Sequence, residues 1–205
     1  MRRNVLLSCG ILSSLVYVWM DIHAAASYEG YSPVSQTVSE LSAIGAPTRA
    51  MWVWAGLIYA LLVVAFGIGV RAAAGENRAL RAVGSLLIAD GVISPFWPPM
   101  HARGAGFTST DMAHIVFAIV TVLLMTLAIG VSATALGRRF RVYSIATLVA
   151  LLAFGAWTGV DSPRIAANLS TPWVGVRERI DIAMFLIWIV ALAIALLRNS
   201  KHAIV

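Results

Sequence analysis

The sequence predicts an all-α, polytopic membrane protein with six transmembrane helices and both termini in the cytoplasm. Of its 205 residues, 60% are hydrophobic and 12% are charged, with a mean hydropathy of +0.86. Soluble domains carry about 45–50% apolar and about 25% charged residues. The apolar residues also fall in six stretches, each close to the roughly 20 residues that a helix needs to cross a bilayer. Short segments of alternating polarity, typical of a transmembrane β-barrel, do not occur in the sequence.

Residues that end helices separate the six stretches. The predicted spans are residues 5–24, 51–70, 80–97, 112–136, 142–160 and 180–197. A glycine among charged residues ends the second span, Pro95, Pro98 and Pro99 end the third, and Gly137 with two arginines ends the fourth. We expect one helical-bundle domain over residues 1–205.

The first span has a second interpretation. A basic N-terminus, an apolar run and the small residues up to Ala26 also fit a signal peptide, and cleavage after Ala26 would leave five spans. The apolar run of residues 5–20 is long for such a peptide, so the sequence favours an uncleaved span. A mature N-terminus at Ser27, found by N-terminal sequencing, would contradict the six-span topology.

The basic residues predict the orientation. Ten of the 15 Lys and Arg residues lie on the side that holds both termini, and five lie on the other side. Because cytoplasmic loops carry the excess of Lys and Arg, this distribution predicts a protein of the cytoplasmic (inner) membrane with both termini inside. The net charge of +6 therefore reflects topology, and we expect the lipid bilayer, not nucleic acid, as the partner.

Ionisable residues gather on the predicted outer side. Asp90 is the deepest, about ten residues into the third span. Asp111 and His114 have i, i+3 spacing and share one face at the start of the fourth span, and His101 and Arg103 lie in the preceding loop. Such residues are costly at membrane depth and usually face a cavity or one another. We therefore predict a polar layer there, open to a small molecule or lipid at the outer face.

Helix capping explains two of the acidic residues equally well. Thr37 with Glu40 fits a capping box that begins a short helix in the first outer loop, which Gly45 would end. Thr108 with Asp111 fits a second capping box at the start of the fourth span.

The start of the sixth span is rich in charge. Arg177 and Asp181 are four residues apart, which predicts an ion pair on one helix face. Glu178 and Arg179 lie between them. Asp161 precedes a Ser-Pro pair, a pattern that is typical of a turn.

Three hypotheses follow for the chemistry of the layer. His23, His101 and His114 could hold Zn²⁺, which takes three protein ligands in catalytic sites, although their spacing matches no compact metal motif. Facing His23 and His114 could instead carry haem. The candidate catalytic residues are Asp90, His101, Asp111 and His114, and the candidate binding residues are Glu40, Arg103, Arg177, Glu178 and Arg179. Before their basic flanks, the inner halves of the spans contain no Asp, Glu, His, Lys or Arg, which argues against a proton relay across the whole membrane.

Three segments carry a resemblance to a known family. They are residues 30–49 with the Ser39-Glu40-Leu41 stretch, residues 98–114 with His101, Asp111 and His114, and residues 171–180 with Glu178-Arg179. Together they resemble the prokaryotic multi-pass membrane family catalogued as domain of unknown function 998. The resemblance implies six membrane helices with an uncleaved first span, and it implies no particular reaction.

Three functions therefore stay open at this point. The first is a binding or structural membrane protein whose polar layer holds the outer loops. The second is a metal-assisted or acid/base-assisted hydrolase acting on a lipid or small molecule at the outer leaflet. The third is a carrier of a small solute or haem.

Overall fold

The computed structural model describes residues 2–202, with side chains through Arg198, so that residue 1 and residues 203–205 of the predicted domain lie outside the described part. The helices are α1 (Arg2–Ser27), α2 (Arg49–Ala73), α3 (Arg78–Ile93), α4 (Ser109–Ala135), α5 (Arg138–Gly159), α6 (Ser162–Ala166) and α7 (Val174–His202). Two 3₁₀ helices lie at Val38–Ser42 and Ser94–Phe96. All helices except α6 and the 3₁₀ helices are long and apolar enough, some with their flanking segments, to cross a membrane, which confirms the six predicted spans.

The six long helices form a closed circuit. Each packs against its neighbour in sequence, α5 packs against α7, and α7 packs against α1. Three connections meet at one end, which we call the loop end: the first loop (28–48), the second loop (97–108) and the third loop (160–173). The other end, which we call the basic end, has only short connections at 74–77 and 136–137.

Helix α3 is the shortest of the six. At the basic end Asn77 caps α3, because its side chain accepts a hydrogen bond from the Leu80 N–H at 3.0 Å. The same side chain donates to the Ala135 carbonyl at 2.8 Å, which aligns the start of α3 with the end of α4. The α-helix ends at Ile93, four residues before the predicted span end, because Pro95 diverts the chain into a 3₁₀ turn.

The main apolar core lies towards the basic end. It contains Phe66 of α2, Leu87 of α3, Ile129 of α4 and Trp188 of α7, all almost fully buried. In this part of the bundle α2 and α3 approach closely, because a Cβ on Gly84 would lie 2.7 Å from the Gly67 carbonyl oxygen. Among the described residues, the buried Asp, Glu, His and Arg side chains lie nearer the loop end.

The first loop folds onto the bundle around a 3₁₀ helix. Its predicted capping box is present, with Thr37 and Glu40 satisfying each other's backbone groups. The helix ends at Ser42, not at Gly45, and is 3₁₀ rather than α. Leu41 is fully buried in a second apolar cluster with Tyr31, which holds the helix against the loop end.

Candidate functional site

The polar side chains at the loop end form a set of separate hydrogen-bonded groups that the backbone of the loops holds together. We call this set the polar layer, and its charged or ionisable members are Asp21, Glu40, His101, Arg103, Asp111, His114, Glu178 and Arg179. Its members come from α1, α4, α7 and the first two loops. That these residues share one side of the membrane stays a prediction, but all of them lie at the loop end of the bundle.

Glu40 is the centre of one half of the layer. Its carboxylate accepts hydrogen bonds from the Thr37 N–H at 2.7 Å, the Thr37 hydroxyl at 2.9 Å and the Gln36 amide at 3.2 Å. Arg103 adds two more, from Nε at 2.6 Å and from Nη2 at 3.0 Å. Burial raises the pKa of Glu40, but these donors outweigh burial and leave the pKa below its ordinary value.

Arg103 joins all three loops. Besides its ion pair with Glu40 of the first loop, it donates to the Ser35 carbonyl at 3.1 Å and to the Leu169 carbonyl of the third loop at 3.3 Å. The second loop is also tied to the first through the backbone, where the Ile44 N–H donates to the Met100 carbonyl at 2.8 Å. One guanidinium thus fixes three chain segments that the sequence separates widely.

Arg179 is the centre of the other half. It binds both carboxylate oxygens of Asp21, at 2.8 and 2.9 Å, and donates to the Tyr31 hydroxyl at 2.9 Å. Burial raises the pKa of the Tyr31 phenol, against the opposing effect of Arg179, so the phenol stays protonated and donates to the Thr37 carbonyl at 2.8 Å. Glu178 accepts from the Val38 N–H at 2.5 Å, which docks the 3₁₀ helix on α7.

Asp111 and His101 form a side-chain pair. Asp111 accepts from the His101 N–H at 2.7 Å, and its other oxygen lies 3.0 Å from the His101 Nδ1. It also accepts from the N–H and hydroxyl of Thr108, which confirms the predicted capping box. Among the described residues no hydrogen bond reaches His101 Nε2, and 28% of that side chain is exposed.

His114 is buried and engaged through both ring nitrogens. Its Nδ1 lies 2.7 Å from the Pro98 carbonyl oxygen and 3.0 Å from the Trp97 indole nitrogen, so it donates to the first or accepts from the second. Its Nε2 lies 3.2 Å from the Ser39 hydroxyl. In either tautomer this histidine links α4 to the first loop and to the chain after α3.

The predicted ion pair of Arg177 with Asp181 is wrong. Arg177 instead pairs with Asp161, and its guanidinium also donates to the Trp157 and Trp173 carbonyls, both at 3.2 Å. The turn after α5 brings Asp161 beside the start of α7, where it offers a nearly buried carboxylate. Asp181 is left with an oxygen, Oδ1, that has no hydrogen-bond partner.

Besides Arg177, two candidate residues lie apart from the layer. His23 is exposed on α1 and stacks on Trp19, with ring centroids 5.2 Å apart. Asp90 is buried within the span of α3, makes no ion pair in the described structure and is considered separately below.

The residues do not fit the proposed metal or haem. In residues 2–198 no group of three or more His, Cys, Asp or Glu side chains is arranged to hold a metal ion, so the three histidines are not a ligand set. Since both nitrogens of His114 are engaged and His23 stacks on Trp19 instead, these two are not free to ligate haem as a pair.

A cavity of about 510 Å³ lies outside the layer, between α5 and α7. Its walls are Phe154, Trp157, Trp173, Val176, Arg177 and Ile180. The one charged wall residue is already paired with Asp161, so this cavity offers an incoming ligand mainly apolar and aromatic contacts.

Sequence reasoning did not assign Ser39 or Tyr31 to the polar layer, and it described Asp161 as part of a turn and not as the partner of Arg177. Ser39 could have been found from its position beside Glu40 in the predicted capped helix. Tyr31 and Asp161 carry no local signal, because their partners Arg179 and Arg177 are far away in the sequence.

The comparisons with known proteins agree with the resemblance seen in the sequence. A family model described as "Protein of unknown function (DUF998)" matches residues 11–195. No curated protein and no solved structure matches the chain.

Proposed function

Because the chain belongs to the DUF998 family of multi-pass membrane proteins, whose function is unknown, we propose a structural role for its polar layer. In this proposal the layer holds the three loops as a rigid cover over the helix bundle. We further propose that the loop end faces the outside of the cytoplasmic membrane, since most Lys and Arg residues lie at the basic end. The cover then presents a fixed surface to a small molecule or lipid at the outer leaflet.

The saturation of the Glu40 carboxylate carries this proposal. Five hydrogen bonds from three residues converge on its two oxygens. A carboxylate that serves as a base or ligand needs a free lone pair directed at its substrate, whereas here the donors all belong to the protein. Arg179 is similarly occupied by Asp21, Tyr31 and the Pro33 carbonyl.

We expect Glu40→Gln to lower the thermal stability of the purified protein in detergent. The variant keeps the shape of the side chain but loses the charge that binds Arg103, at a cost of about 1–3 kcal/mol for a charged hydrogen-bonded pair. Glu29→Gln is the matched control, because Glu29 is an exposed glutamate of the same loop. Equal melting temperatures for the two variants would contradict the structural proposal.

The Glu40 effect should depend on pH in a defined direction. Since the pKa of Glu40 is lowered in the folded protein from 4.5, its stabilisation is complete above about pH 4.5 and is lost as pH falls through the folded pKa. The difference in melting temperature between wild type and Glu40→Gln should therefore be constant near neutral pH and shrink under acidic conditions.

A second function, acid/base-assisted hydrolysis at the outer face, is favoured by His101. Asp111 orients the ring through Nδ1, while Nε2 has no hydrogen-bond partner among the described residues. A histidine held by a carboxylate with its second nitrogen free can take a proton from an attacking water. In this scheme His101 is the base and Asp111 is its positioning residue.

Hydrolysis of fluorogenic ester and phospholipid substrates in vesicles tests this second function. If His101 is the base, His101→Gln should lower kcat by about 10²–10⁴-fold and leave the melting temperature within the range of His23→Gln, the control histidine on α1. Failure of the wild type to cleave any of these substrates above the rate of empty vesicles would overturn the hydrolase and leave the structural role unaffected.

A further inference from the structure

Asp90 is a carboxylic acid without a partner inside the bundle. Only 2% of the residue is exposed, no ion pair or side-chain hydrogen bond of Asp90 occurs among the described residues, and Oδ1 is fully buried. Neither a helix cap nor a turn explains it, because α3 continues to Ile93. A buried polar atom without a partner in a native protein calls for an explanation, such as a bound water or ion.

Thr121 of α4 is a second such group at the same depth. Only 4% of it is exposed, and its hydroxyl also has no hydrogen-bond partner. The contact of Asn77 with Ala135 aligns α3 with α4 at the basic end. Counting from that contact at about 1.5 Å per helical residue, Asp90 and Thr121 both lie about 20 Å along the bundle.

Both groups are turned towards the interior of the helix circuit. On α3, Leu80 and Leu87 occupy the same buried face as Asp90, at i−10 and i−3. On α4, Ala128 lies two turns beyond Thr121 on the buried face. The two unpartnered oxygens therefore belong to neighbouring helices, at one level and on inward-facing sides.

No cation of the protein is positioned to neutralise Asp90. On α2, the only ionisable residue in the span opposite is Tyr59, which is close enough to interact electrostatically with Asp90. On α4 the ionisable residues are Asp111 and His114, and the 3₁₀ helix Ser94–Phe96 has none. An ionised carboxylate so placed would be strongly disfavoured in the membrane interior unless a proton or cation accompanies it.

We propose that Asp90 and Thr121 form an intramembrane binding site for a small monovalent cation, either a proton or Na⁺. Oxygen ligands from a carboxylate and a hydroxyl suit such a hard cation, and the charge of Asp90 is neutralised when the site is filled. This site is separate from the polar layer and goes beyond the structural role proposed above.

On α4 the ionisable side chains nearest to the site lie towards the loop end. Towards the basic end, Leu87, Val83 and Ile129 are essentially fully buried in the apolar core, and the buried polar groups there are hydroxyls such as those of Ser132 and Ser144. Towards the loop end, His114 lies seven residues before Thr121 on α4, about 10 Å nearer the surface. This placement favours exchange of the cation with the loop end.

Carbodiimide labelling tests the site in the intact protein in lipid nanodiscs. Dicyclohexylcarbodiimide enters membranes and reacts with protonated carboxyl groups, and peptide mass analysis separates an adduct on Asp90 from one on Asp181. We expect an adduct on Asp90 that diminishes as pH rises and is absent in Asp90→Asn. Infrared spectra, which need no reagent access, should show a protonated-carboxyl C=O band that Asp90→Asn removes.

Repeating both measurements with added NaCl distinguishes Na⁺ from the proton. If Na⁺ competes with the proton, NaCl lowers both the labelling of Asp90 and the infrared band, and choline chloride does not. In that case Thr121→Val should raise the Na⁺ concentration that gives half-protection about tenfold, which is equivalent to the loss of one ligand contact. Thr126→Val is the control, because that hydroxyl is exposed and bonds only within α4. If NaCl has no effect on the band or the adduct, the cation is the proton. The proposal is overturned if Asp90 carries no adduct and wild type and Asp90→Asn have the same carboxyl band at every pH and salt.

Discussion

Gly175→Ala should destabilise the protein by about 3 kcal/mol, a large effect for a single added methyl group. A Cβ at this position would overlap the carbonyl oxygens of Pro33 and Gln36 in the first loop. The Gly175 N–H also donates to the Val34 carbonyl at 3.1 Å, so the loop backbone is held against the first turn of α7. Because the obstacle is backbone and not a flexible side chain, the loop as a whole has to move away.

Thermal unfolding in detergent measures this effect, and Gly56→Ala is its control. No atom lies within 4 Å of a Cβ built on Gly56, which is also in a membrane-spanning helix. Limited proteolysis of the first loop gives a second measurement, since displacement should expose the segment around Pro33 and Gln36. Similar melting temperatures and cleavage rates for the two variants would show that the loop does not dock as described.

Arg179→Met should have the second large effect, again about 3 kcal/mol, because it leaves a partly buried carboxylate without its partner. Arg179 holds Asp21 through two hydrogen bonds and also binds Tyr31. Arg164→Met is the control, since that side chain is half exposed and its nitrogen lies 3.8 Å from Asp161.

A double-mutant cycle with Asp21→Asn identifies the cause. If the uncompensated carboxylate accounts for the loss, the double variant Asp21→Asn/Arg179→Met should be more stable than the sum of the two single effects predicts. Strict additivity, measured by chemical or thermal unfolding, would mean that Asp21 and Arg179 stabilise the protein independently.

Local features of this fold could be predicted from the sequence. The spans follow from composition. Both capping boxes follow from two residues three positions apart, such as Thr108 and Asp111, because these residues pair wherever a helix begins at the first of them. The predicted third span ends four residues beyond the end of α3, because an apolar run does not reveal where Pro95 changes the α-helix into a 3₁₀ helix.

Long-range pairing could not be predicted in the same way. Spacing alone assigned Arg177 to Asp181, but the turn after α5 brings Asp161 to the same guanidinium in a position that spacing does not encode. The acids and histidines of the polar layer lie at one end of the bundle, while their common side of the membrane stays a prediction. Which acid binds which arginine depends on helix rotation and loop folding, and those are set by packing.

The pairs of the polar layer also determine when it can form during synthesis. Asp21 lies on the first helix and Arg179 on the last, 158 residues apart, and the Val38 N–H donates to Glu178 across 140 residues. A chain that is still emerging from the ribosome therefore carries Asp21 and the Val38 N–H without partners until α7 has entered the membrane. These contacts can form only once α7 is present, so a chain truncated before α7 would lack them.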